Sequence, residues 1–339
     1  MAKPRIYATR MIPPPAFEEL GRLCELEIHA SKETPPSREE LMRRVADKDA
    51  LICLLTDRID KEVMEAGPNL KVIATYSVGF DHIDLEEATR RGIYVVNTPG
   101  TATDSVADFT WALILAASRR LVEADRFVRA GKWSGPWNPY LLVGKGLRGK
   151  VLGIIGLGRI GKAVAERAKG FGLKRVIYYD VVRPPKEVEE RLGIEYTSLK
   201  ELLRESDVIS INAPLTPETY HMIDEEALKL VKPSVVLVNT GRGPIVDEEA
   251  LKKALKDGRV YAAGLDVFER EPIPPDDELL GFENVIVTPH IASADEYTRE
   301  LMSRMVAENV LAALSGRIPE ALCNPDVVRV RPPEELKMI

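Results

Sequence analysis

Residues 151–180 read VLGIIGLGRIGKAVAERAKGFGLKRVIYYD, and this stretch decides the fold. The apolar run 151–155 predicts a strand that is buried on both faces. Three glycines follow it at G-x-G-x-x-G spacing and lead into apolar residues at helical spacing: Gly156, Gly158 and Gly161. A second apolar run, 176–179, ends at Asp180, 19 residues after the last glycine. The stretch therefore predicts a strand, a turn, a helix, a second strand and an acidic residue.

Each glycine has its own reason in a dinucleotide-binding turn. Gly156 allows a tight turn, and Gly158 lets the backbone approach a pyrophosphate. Gly161 lets the helix pack closely on the strand, and the helix N-terminus offers free N–H groups to the phosphates. A glycine-rich turn can also merely join two elements. Because the strand, the helix and the distal acid all stand where the mechanism needs them, we interpret the stretch as a dinucleotide site.

Asp180 bears on which dinucleotide is bound. A carboxylate at the end of the second strand accepts hydrogen bonds from the ribose hydroxyls and repels a 2′-phosphate, which favours NAD(H) over NADP(H). An ordinary solvated carboxylate is the alternative interpretation. Arg183 and Lys186 lie close by in the sequence and are able to bind a 2′-phosphate, so NADP(H) remains possible.

Composition and charge exclude several classes of protein. The chain has 339 residues, 45% of them hydrophobic, which is typical of a soluble protein with two domains. The net charge of −6 and the lack of a polybasic run argue against nucleic acid or an anionic membrane as a partner. Since no stretch resembles a signal peptide or a membrane span, we expect a cytoplasmic protein. The cysteines are few and far apart, which argues against a disulfide framework and a metal site: Cys24, Cys53 and Cys323.

Short apolar runs alternate with amphipathic segments in the first hundred residues. The predicted strands are 5–9, 26–28, 51–55, 72–75 and 94–97. The predicted helices are 16–24, 38–47, 61–66 and 85–91. This alternation predicts a parallel sheet with helices on both faces, in a flavodoxin-like domain.

The rest of the chain continues the α/β pattern. Residues 103–131 have recurrent apolar positions that predict one long helix, long enough to bridge two domains. Beyond the glycine-rich stretch, the predicted strands are 208–212, 235–240, 262–267 and 285–288, and the predicted helices are 200–204, 225–230, 248–256 and 294–314. We therefore expect an α/β protein with two doubly wound parallel-sheet domains. A Rossmann dinucleotide-binding domain, 101–291, is inserted into a discontinuous substrate domain, 1–100 plus 292–339.

Five ordered motifs span nearly the whole chain. They are TYSVGFDHID at 75–84, the G-x-G-x-x-G stretch, VNTGRGPIVD at 238–247, GLDVFEREP at 264–272 and TPHIASA at 288–294. Together they resemble the D-isomer-specific 2-hydroxyacid dehydrogenase family, and within it the glyoxylate and hydroxypyruvate reductases most of all. The resemblance implies NAD(P)H-dependent reduction of a small 2-oxo acid to the 2-hydroxy acid.

Three residues in these motifs carry reactive chemistry. Arg242 stands between two glycines past a buried strand, where a guanidinium can bind a carboxylate bidentately; a surface ion pair is the alternative. His290 follows a strand and a proline, and imidazole donates a proton readily near neutral pH, although a lone loop histidine is more often structural. Glu271, if hydrogen-bonded to His290, would orient the ring and favour its protonated form. The resemblance assigns these roles: His290 as proton donor, Arg242 as carboxylate ligand and Glu271 as the partner of the histidine.

The resemblance also implies the remaining contacts of the site. Cofactor contacts are expected from Thr103, Gly156, Leu157, Gly158, Arg159, Ile160, Gly161, Asp180, Val181, Val182, Pro214, Thr219, Thr240, Gly241, Arg242, Asp266 and His290. Substrate contacts are expected from Leu55, Ser77, Val78, Gly79, Trp137, Arg242 and His290. The Val78 and Gly79 N–H groups are expected to take the substrate carboxylate opposite the arginine, although Gly79 could equally serve a plain strand-to-helix turn.

An aromatic cluster follows the predicted long helix, in a segment rich in proline and glycine: Trp133, Trp137 and Tyr140. Such a cluster is buried either locally or in a partner. The resemblance favours a partner, because members of the family are mostly homodimers joined through their nucleotide domains. It further implies that Trp137 reaches the substrate site of the neighbouring subunit. We therefore expect a homodimer.

The chain departs from the family pattern at three positions, none of which removes a reactive group. Ala292 stands where glycine is usual, and Gly241 and Pro244 flank the arginine less commonly than other residues do. Phosphoglycerate dehydrogenase or another D-2-hydroxyacid dehydrogenase is the nearest alternative function. An NAD-sensing, corepressor-like interaction protein is an alternative from another class, and it would bind the cofactor without turning over 2-oxo acids.

Overall fold

The computed structural model describes residues 3–339, and the chain forms two compact α/β units. One unit comprises Met1–Ala102 and Ala294–Ile339, and the other comprises Thr103–Ser293. Each unit has its own parallel sheet, with five strands in the first and seven in the second. The predicted fold class, two doubly wound parallel-sheet domains, is confirmed. The sequence predicts the changes of unit after residues 100 and 291, and in the structure they follow Ala102 and Ser293.

The first unit contains a sheet with the strand order β2-β1-β3-β4-β5, in which all neighbours are parallel. Its strands are β1 (Arg5–Ala8), β2 (Glu25–Ile28), β3 (Ala50–Cys53), β4 (Val72–Thr75) and β5 (Tyr94–Val96). The helices between them are α1 (Ala16–Leu23), α2 (Arg38–Val45), α3 (Lys61–Ala66) and α4 (Leu85–Arg90). This strand order is the predicted flavodoxin-like one. Strands β3 and β4 are buried along their whole length, which is why they are unbroken apolar runs in the sequence.

Side-chain caps explain where three of these helices begin. The side chains of Ser37, Asp60 and Asp84 each accept a hydrogen bond from the backbone N–H three residues further on. Such caps satisfy N–H groups that have no partner inside the helix. The predicted starts of these helices, at residues 38, 61 and 85, are confirmed.

All three cysteines of the chain are free, and Cys24 and Cys53 are buried. Burial raises the pKa of the Cys24 thiol to about 11 and that of the Cys323 thiol to about 12. Burial raises the pKa of Cys53 as well. The thiols are therefore uncharged at neutral pH and behave as small apolar side chains.

The second unit opens with two helices where the sequence predicts one. Helices α5 (Thr103–Ser118) and α6 (Leu121–Arg129) are separated at Arg120, whose backbone is left-handed with a φ of 56°. The predicted single helix over 103–131 is therefore wrong. Its apolar periodicity runs through the break, and no glycine or proline marks the turn. The Arg120 guanidinium instead donates hydrogen bonds of 2.7 and 2.6 Å to Glu123, which hold the turn in place.

The sheet of the second unit has the strand order β12-β11-β10-β9-β6-β7-β8, again with parallel neighbours. Its strands are β6 (Val151–Ile155), β7 (Arg175–Tyr179), β8 (Ile194–Tyr196), β9 (Val208–Ile211), β10 (Val236–Asn239), β11 (Ala262–Leu265) and β12 (Val285–Val287). The helices that connect them are α7 (Arg159–Arg167), α8 (Lys186–Leu192), α9 (Leu199–Glu205), α10 (Glu225–Leu230) and α11 (Glu248–Lys256). Helix α8 and strand β8 are not predicted from the sequence, because the helix is mostly charged and the strand has only three residues.

The chain ends in helices α12 (Glu296–Leu314) and α13 (Val327–Val330), which belong to the first unit. Apolar residues of α12 join the core on one face of that unit's sheet, where Met302, Val306 and Val310 are buried. Two hydrogen bonds fix the helix there. The Ala16 N–H donates to Ser303 Oγ at 3.1 Å, and the Tyr76 hydroxyl donates to the Arg299 carbonyl at 2.8 Å.

Candidate active site

The three glycines of the 156–161 turn differ in what surrounds them. Gly156 has a φ of +88°, and a Cβ there would lie 2.6 Å from the Ala213 backbone nitrogen. A Cβ at Gly161 would lie 2.1 Å from the Gly156 carbonyl oxygen, so the helix could not pack on the strand. A Cβ at Gly158 would meet nothing within 4 Å, so open space faces the backbone there. This is the arrangement that a bound pyrophosphate needs.

The N-terminus of α7 is open to an anion. Its N-cap residue, Gly158, has no side chain with which to cap the helix. The first N–H groups of a helix have no partner within it, and together with the helix dipole they attract phosphate. The turn also lies between β6 and β9, where the strand order reverses, and this is the usual ligand position in an open α/β sheet. The turn therefore suits a dinucleotide.

Asp180 joins the glycine turn to the loop after β7. One carboxylate oxygen accepts a hydrogen bond from the Leu157 N–H at 2.6 Å, and the other accepts one from the Val182 N–H at 2.9 Å. Each carboxylate oxygen has two lone pairs, so both can still accept a ribose hydroxyl. Val181 and Val182 are strongly exposed. The two basic residues that could favour NADP(H) are both paired: Arg183 with Glu189 at 2.7 Å and Lys186 with Glu190 at 3.5 Å.

His290 and Glu271 lie together. Nδ1 of His290 is 2.8 Å from Oε2 of Glu271, and the side chains are 25% and 28% exposed. Burial raises the pKa of the Glu271 carboxyl, but the hydrogen bond and charge of His290, the Phe268 N–H and the Arg242 charge outweigh it, and the pKa lies below its usual value. An ionised carboxylate only accepts hydrogen bonds, so Nδ1 of His290 carries the proton. The Nε2 atom is then the ring nitrogen available to a substrate.

Asp266 shapes the loop that carries His290. The Asp266 carboxylate is fully buried and accepts three hydrogen bonds, from the Thr288 hydroxyl at 2.7 Å, the Ile291 N–H at 2.9 Å and the Ala292 N–H at 2.8 Å. Burial raises the pKa of this carboxyl more than the hydrogen bonds lower it. The loop so held places His290 in the left-handed region, with a φ of 53°. Such a conformation is strained for a residue with a Cβ and is common at functional sites.

The departure from the family pattern at Ala292 is accommodated. Its N–H is one of the three donors to Asp266, and its side chain is 4% exposed. Ala292 is not among the residues with a positive φ, so a Cβ imposes no backbone strain there.

Arg242 stands on the loop after β10. Its Nη1 donates a hydrogen bond to the Gly241 carbonyl at 2.9 Å. The loop is clamped by Asn239, whose side chain donates to the Arg242 carbonyl at 2.9 Å and accepts from the Gly241 N–H at 3.0 Å. Asn239 is buried, and it is not among the predicted site residues. The only signal in the sequence is a polar residue at the end of an apolar run.

The other predicted cofactor residues lie in loops of the same unit. Thr240 is hydrogen-bonded to Thr110 at 2.8 Å, and the Thr219 hydroxyl donates to the Pro214 carbonyl at 2.7 Å. Thr103 is the first residue of α5. The loops after β6, β7 and β9 to β12 all leave the carboxyl edge of one parallel sheet, and they carry the predicted cofactor residues outside helices. The exceptions are Thr103 on α5 and the first three residues of α7: Arg159, Ile160 and Gly161.

Four predicted substrate residues belong to the first unit. Leu55 follows β3, and the other three follow β4: Ser77, Val78 and Gly79. The Ser77 hydroxyl donates to the Gly79 carbonyl at 2.7 Å, and Asn97 donates to the Val78 carbonyl at 2.6 Å. Within residues 3–339, neither the Val78 nor the Gly79 N–H donates a hydrogen bond. These two N–H groups are therefore available to a carboxylate.

Trp137 lies in the irregular segment after α6. It is 82% exposed, and Tyr140 and Trp133 nearby are 87% and 60% exposed. Local burial of this aromatic cluster, the alternative left open by the sequence, is wrong for the single chain. The segment therefore presents an exposed aromatic surface.

The fold and the site define a dinucleotide-dependent oxidoreductase. Residues 111–292 match the family model for the NAD binding domain of D-isomer specific 2-hydroxyacid dehydrogenases. The chain is 55% identical to the glyoxylate reductase of Thermofilum pendens over an alignment of 340 residues, and this alignment covers 100% of both chains. The chain belongs to the D-isomer-specific 2-hydroxyacid dehydrogenase family, and the predicted family is confirmed.

Solved structures agree with this membership. A crystal structure of a Thermus thermophilus protein superposes with a TM-score of 0.88 at 46% identity, covering 94% of this chain and 99% of that one. The NADPH-dependent glyoxylate/hydroxypyruvate reductase of Sinorhizobium meliloti, solved with NADP and malonate, gives a TM-score of 0.79 at 34% identity, covering 93% and 94%. Within residues 3–339, none of the helices has the length and apolar character needed to cross a membrane.

Proposed function

We propose that the protein reduces glyoxylate, and also hydroxypyruvate, to the corresponding 2-hydroxy acid, with NADH as the preferred cofactor. The observation that carries this proposal is the His290–Glu271 pair, held at 2.8 Å in the same unit as the glycine turn. The substrates are proposed from the names of relatives, since the Thermofilum pendens protein is a glyoxylate reductase and the Sinorhizobium meliloti protein is named for both 2-oxo acids.

The cofactor would be held by the turn 156–161 and by Asp180. When bound, the reduced nicotinamide supplies the hydride that C2 of the 2-oxo acid receives. Arg242 would bind the substrate carboxylate bidentately, and the Val78 and Gly79 N–H groups would donate to the same carboxylate. This places the substrate and concentrates positive charge where the carbonyl oxygen becomes negative.

His290 would donate the Nε2 proton to the carbonyl oxygen as negative charge develops there. The Nδ1–H group would stay hydrogen-bonded to Glu271 throughout, so the ring would keep the same orientation before and after the Nε2 proton is transferred. The hydrogen bond to Glu271 would hold the ring in place while His290 acts as an acid in reduction and as a base in the reverse direction. A positioned proton donor of this kind contributes about 10²–10⁴-fold to the rate.

The proposed preference for NADH rests on Asp180, since the carboxylate would accept the ribose hydroxyls and repel a 2′-phosphate. The ion pairs of Arg183 and Lys186 add to it, because each basic residue already has an acidic partner. The Sinorhizobium meliloti relative is named as NADPH-dependent, so membership of the family does not by itself decide the preference.

We further propose a cytoplasmic homodimer in which Trp137 lines the substrate site of the partner. The exposed aromatic cluster 133–140 supports it, because such a surface in a single chain is typical of an interface. Light scattering tests the assembly directly, since a monomer has a mass of 37.7 kDa. A particle of that mass at micromolar concentration would contradict the homodimer.

Steady-state kinetics test the proposed reaction. The panel comprises glyoxylate, hydroxypyruvate, phosphohydroxypyruvate and pyruvate, each with NADH and NADPH. We expect the highest kcat/KM with NADH and one of the first two acids. A clear preference for phosphohydroxypyruvate would point to a phosphoglycerate dehydrogenase. Tight NADH binding without turnover on any of the four would point to a sensor.

A further inference from the structure

A four-residue network surrounds the loop that follows β7 and begins with Asp180. The network comprises Arg183, Glu189, Tyr178 and Tyr196. The Arg183 guanidinium donates hydrogen bonds of 2.7 and 2.8 Å to the two carboxylate oxygens of Glu189. Its central carbon also lies 5.2 Å from the centre of the Tyr196 ring. Arg183 is thus engaged by both a bidentate ion pair and a cation–π contact.

Glu189 is the fixed end of this network. It is 7% exposed, and its carboxylate also accepts the Tyr178 hydroxyl, which is buried in the core of the unit. The hydrogen bonds from Arg183 and Tyr178 lower the pKa of Glu189 to about 2, so the carboxylate is ionised at every pH at which the enzyme would work. Arg183, in contrast, is 59% exposed at its side chain. Most of the Arg183 side chain faces solvent, so its contacts with Glu189 and Tyr196 are what hold the guanidinium in place.

We propose that Glu189 is a positioning residue that sets cofactor choice by retaining Arg183 in this internal ion pair. Arg183 lies three residues after Asp180, on the loop that would meet the adenosine ribose, and a free guanidinium there is suited to a 2′-phosphate. To bind one, Arg183 would have to leave both carboxylate oxygens of Glu189 and the Tyr196 ring. Discrimination against NADP(H) then has two parts, repulsion by Asp180 and retention of Arg183. The inference rests on the nucleotide binding proposed above and not on the identity of the 2-oxo acid.

The chain provides a matched control two residues before Glu189 on α8. Glu187 is exposed, and within residues 3–339 its side chain forms no ion pair. Glu187→Gln removes the same charge from the same helix as Glu189→Gln does, but it releases neither Arg183 nor Lys186. Any gain in NADP⁺ affinity that comes only from losing one negative charge on α8 is therefore common to the two variants.

The test is calorimetric titration of the full-length protein with NAD⁺ and NADP⁺, without substrate. In Glu189→Gln we expect NADP⁺ to bind about 3- to 10-fold more tightly than in Glu187→Gln, the range typical of an ion pair and a cation–π contact on a partly exposed arginine. NAD⁺ affinity should be equal in the two variants. The gain should disappear in Glu189→Gln/Arg183→Gln. Equal NADP⁺ affinity in the two single variants, or a gain that survives loss of Arg183, would overturn the proposal.

Tyr196→Leu covers the case in which Glu189→Gln fails to fold. Tyr196 is 42% exposed, and its replacement removes the cation–π contact while leaving the buried Tyr178–Glu189 hydrogen bond intact. We expect a smaller gain in NADP⁺ affinity of about 2-fold, and no gain in this variant would overturn the proposal in that case. Absence of all NAD⁺ binding in the wild type would instead contradict the proposed function.

Discussion

Asp266→Asn tests whether the buried carboxylate sets the position of His290. An asparagine keeps one acceptor oxygen for the Thr288 hydroxyl and the Ile291 N–H, but its amide group faces the Ala292 N–H, so two donors meet at the site of a 2.8 Å bond. Losing one hydrogen bond to a charged acceptor costs about 1.5–3 kcal/mol, and weakening the other two adds to it. Relief of the desolvation that raises the pKa of Asp266 offsets part of this cost. We expect a net loss of about 2–3 kcal/mol in the free energy of unfolding.

For a unit of this size, that loss corresponds to a fall in Tm of roughly 5–10 °C. Because the loop carries His290, kcat with glyoxylate should fall about 10²-fold, the usual effect of a misplacement near 1 Å. Cofactor titration should show that NADH binding is retained. That result would mean that Asp266→Asn disturbs the His290 loop and not the glycine turn. Thr288→Val is the graded control, since it removes one donor at 2.7 Å and leaves the carboxylate. Wild-type kcat in Asp266→Asn would refute the reasoning, and so would a larger loss in Thr288→Val.

Four other changes probe the site. His290→Gln should lower kcat by about 10²–10⁴-fold with little change in NADH affinity, because the proton donor is lost while the nucleotide turn is intact; near-normal kcat in stopped-flow assays would remove it from the mechanism. Asp180→Ser should shift preference towards NADPH by about 1–3 kcal/mol in the ratio of kcat/KM values, and a wild type that already prefers NADPH would contradict this expectation. Trp137→Ala should stay dimeric by light scattering but change KM for the 2-oxo acid, and unchanged kinetics would argue against a shared site. The lowered pKa of Glu189, about 2, means that its contribution to stability is complete above its unfolded value near 4.3 and is lost as the pH falls towards 2. The Tm difference between wild type and Glu189→Gln should therefore be the same at pH 7 and 5 and smaller at pH 3.

The strands and the glycine turn could be predicted because their causes are local. Val151–Ile155 is apolar throughout since helices cover both faces of the sheet, and the glycine spacing is imposed by close backbone approaches that a Cβ would block. The break at Arg120 could not be predicted, since it depends on one residue in a left-handed conformation that carries no glycine or proline signal. Helix α8 could not be predicted either, because its packing depends on residues outside the helix. Its charged residues include Glu189, whose burial is decided by partners on β7 and in the following loop.

The candidate site divides in the same way. Reactive groups such as His290 belong to sequence motifs and could be predicted from them. The residues that hold these groups in place have no such pattern in the sequence. Asn239 clamps the arginine loop through two backbone hydrogen bonds, and a buried amide at a strand end has no pattern of its own. Asp266 was expected at the site from resemblance, but its position beneath the histidine loop follows only from the strand β11 and the turn after β12 coming side by side.

The buried thiols have a practical consequence for labelling. With pKa values of about 11 for Cys24 and about 12 for Cys323, and a raised pKa for Cys53, thiolate is scarce at neutral pH, and alkylating reagents should leave the folded protein unmodified. A cysteine introduced in place of Trp137, which is 82% exposed, would then be the reactive one. In the proposed homodimer, a spin label at that position would give a single distance across the two-fold axis, and that distance would report how the aromatic segments of two subunits are arranged in solution.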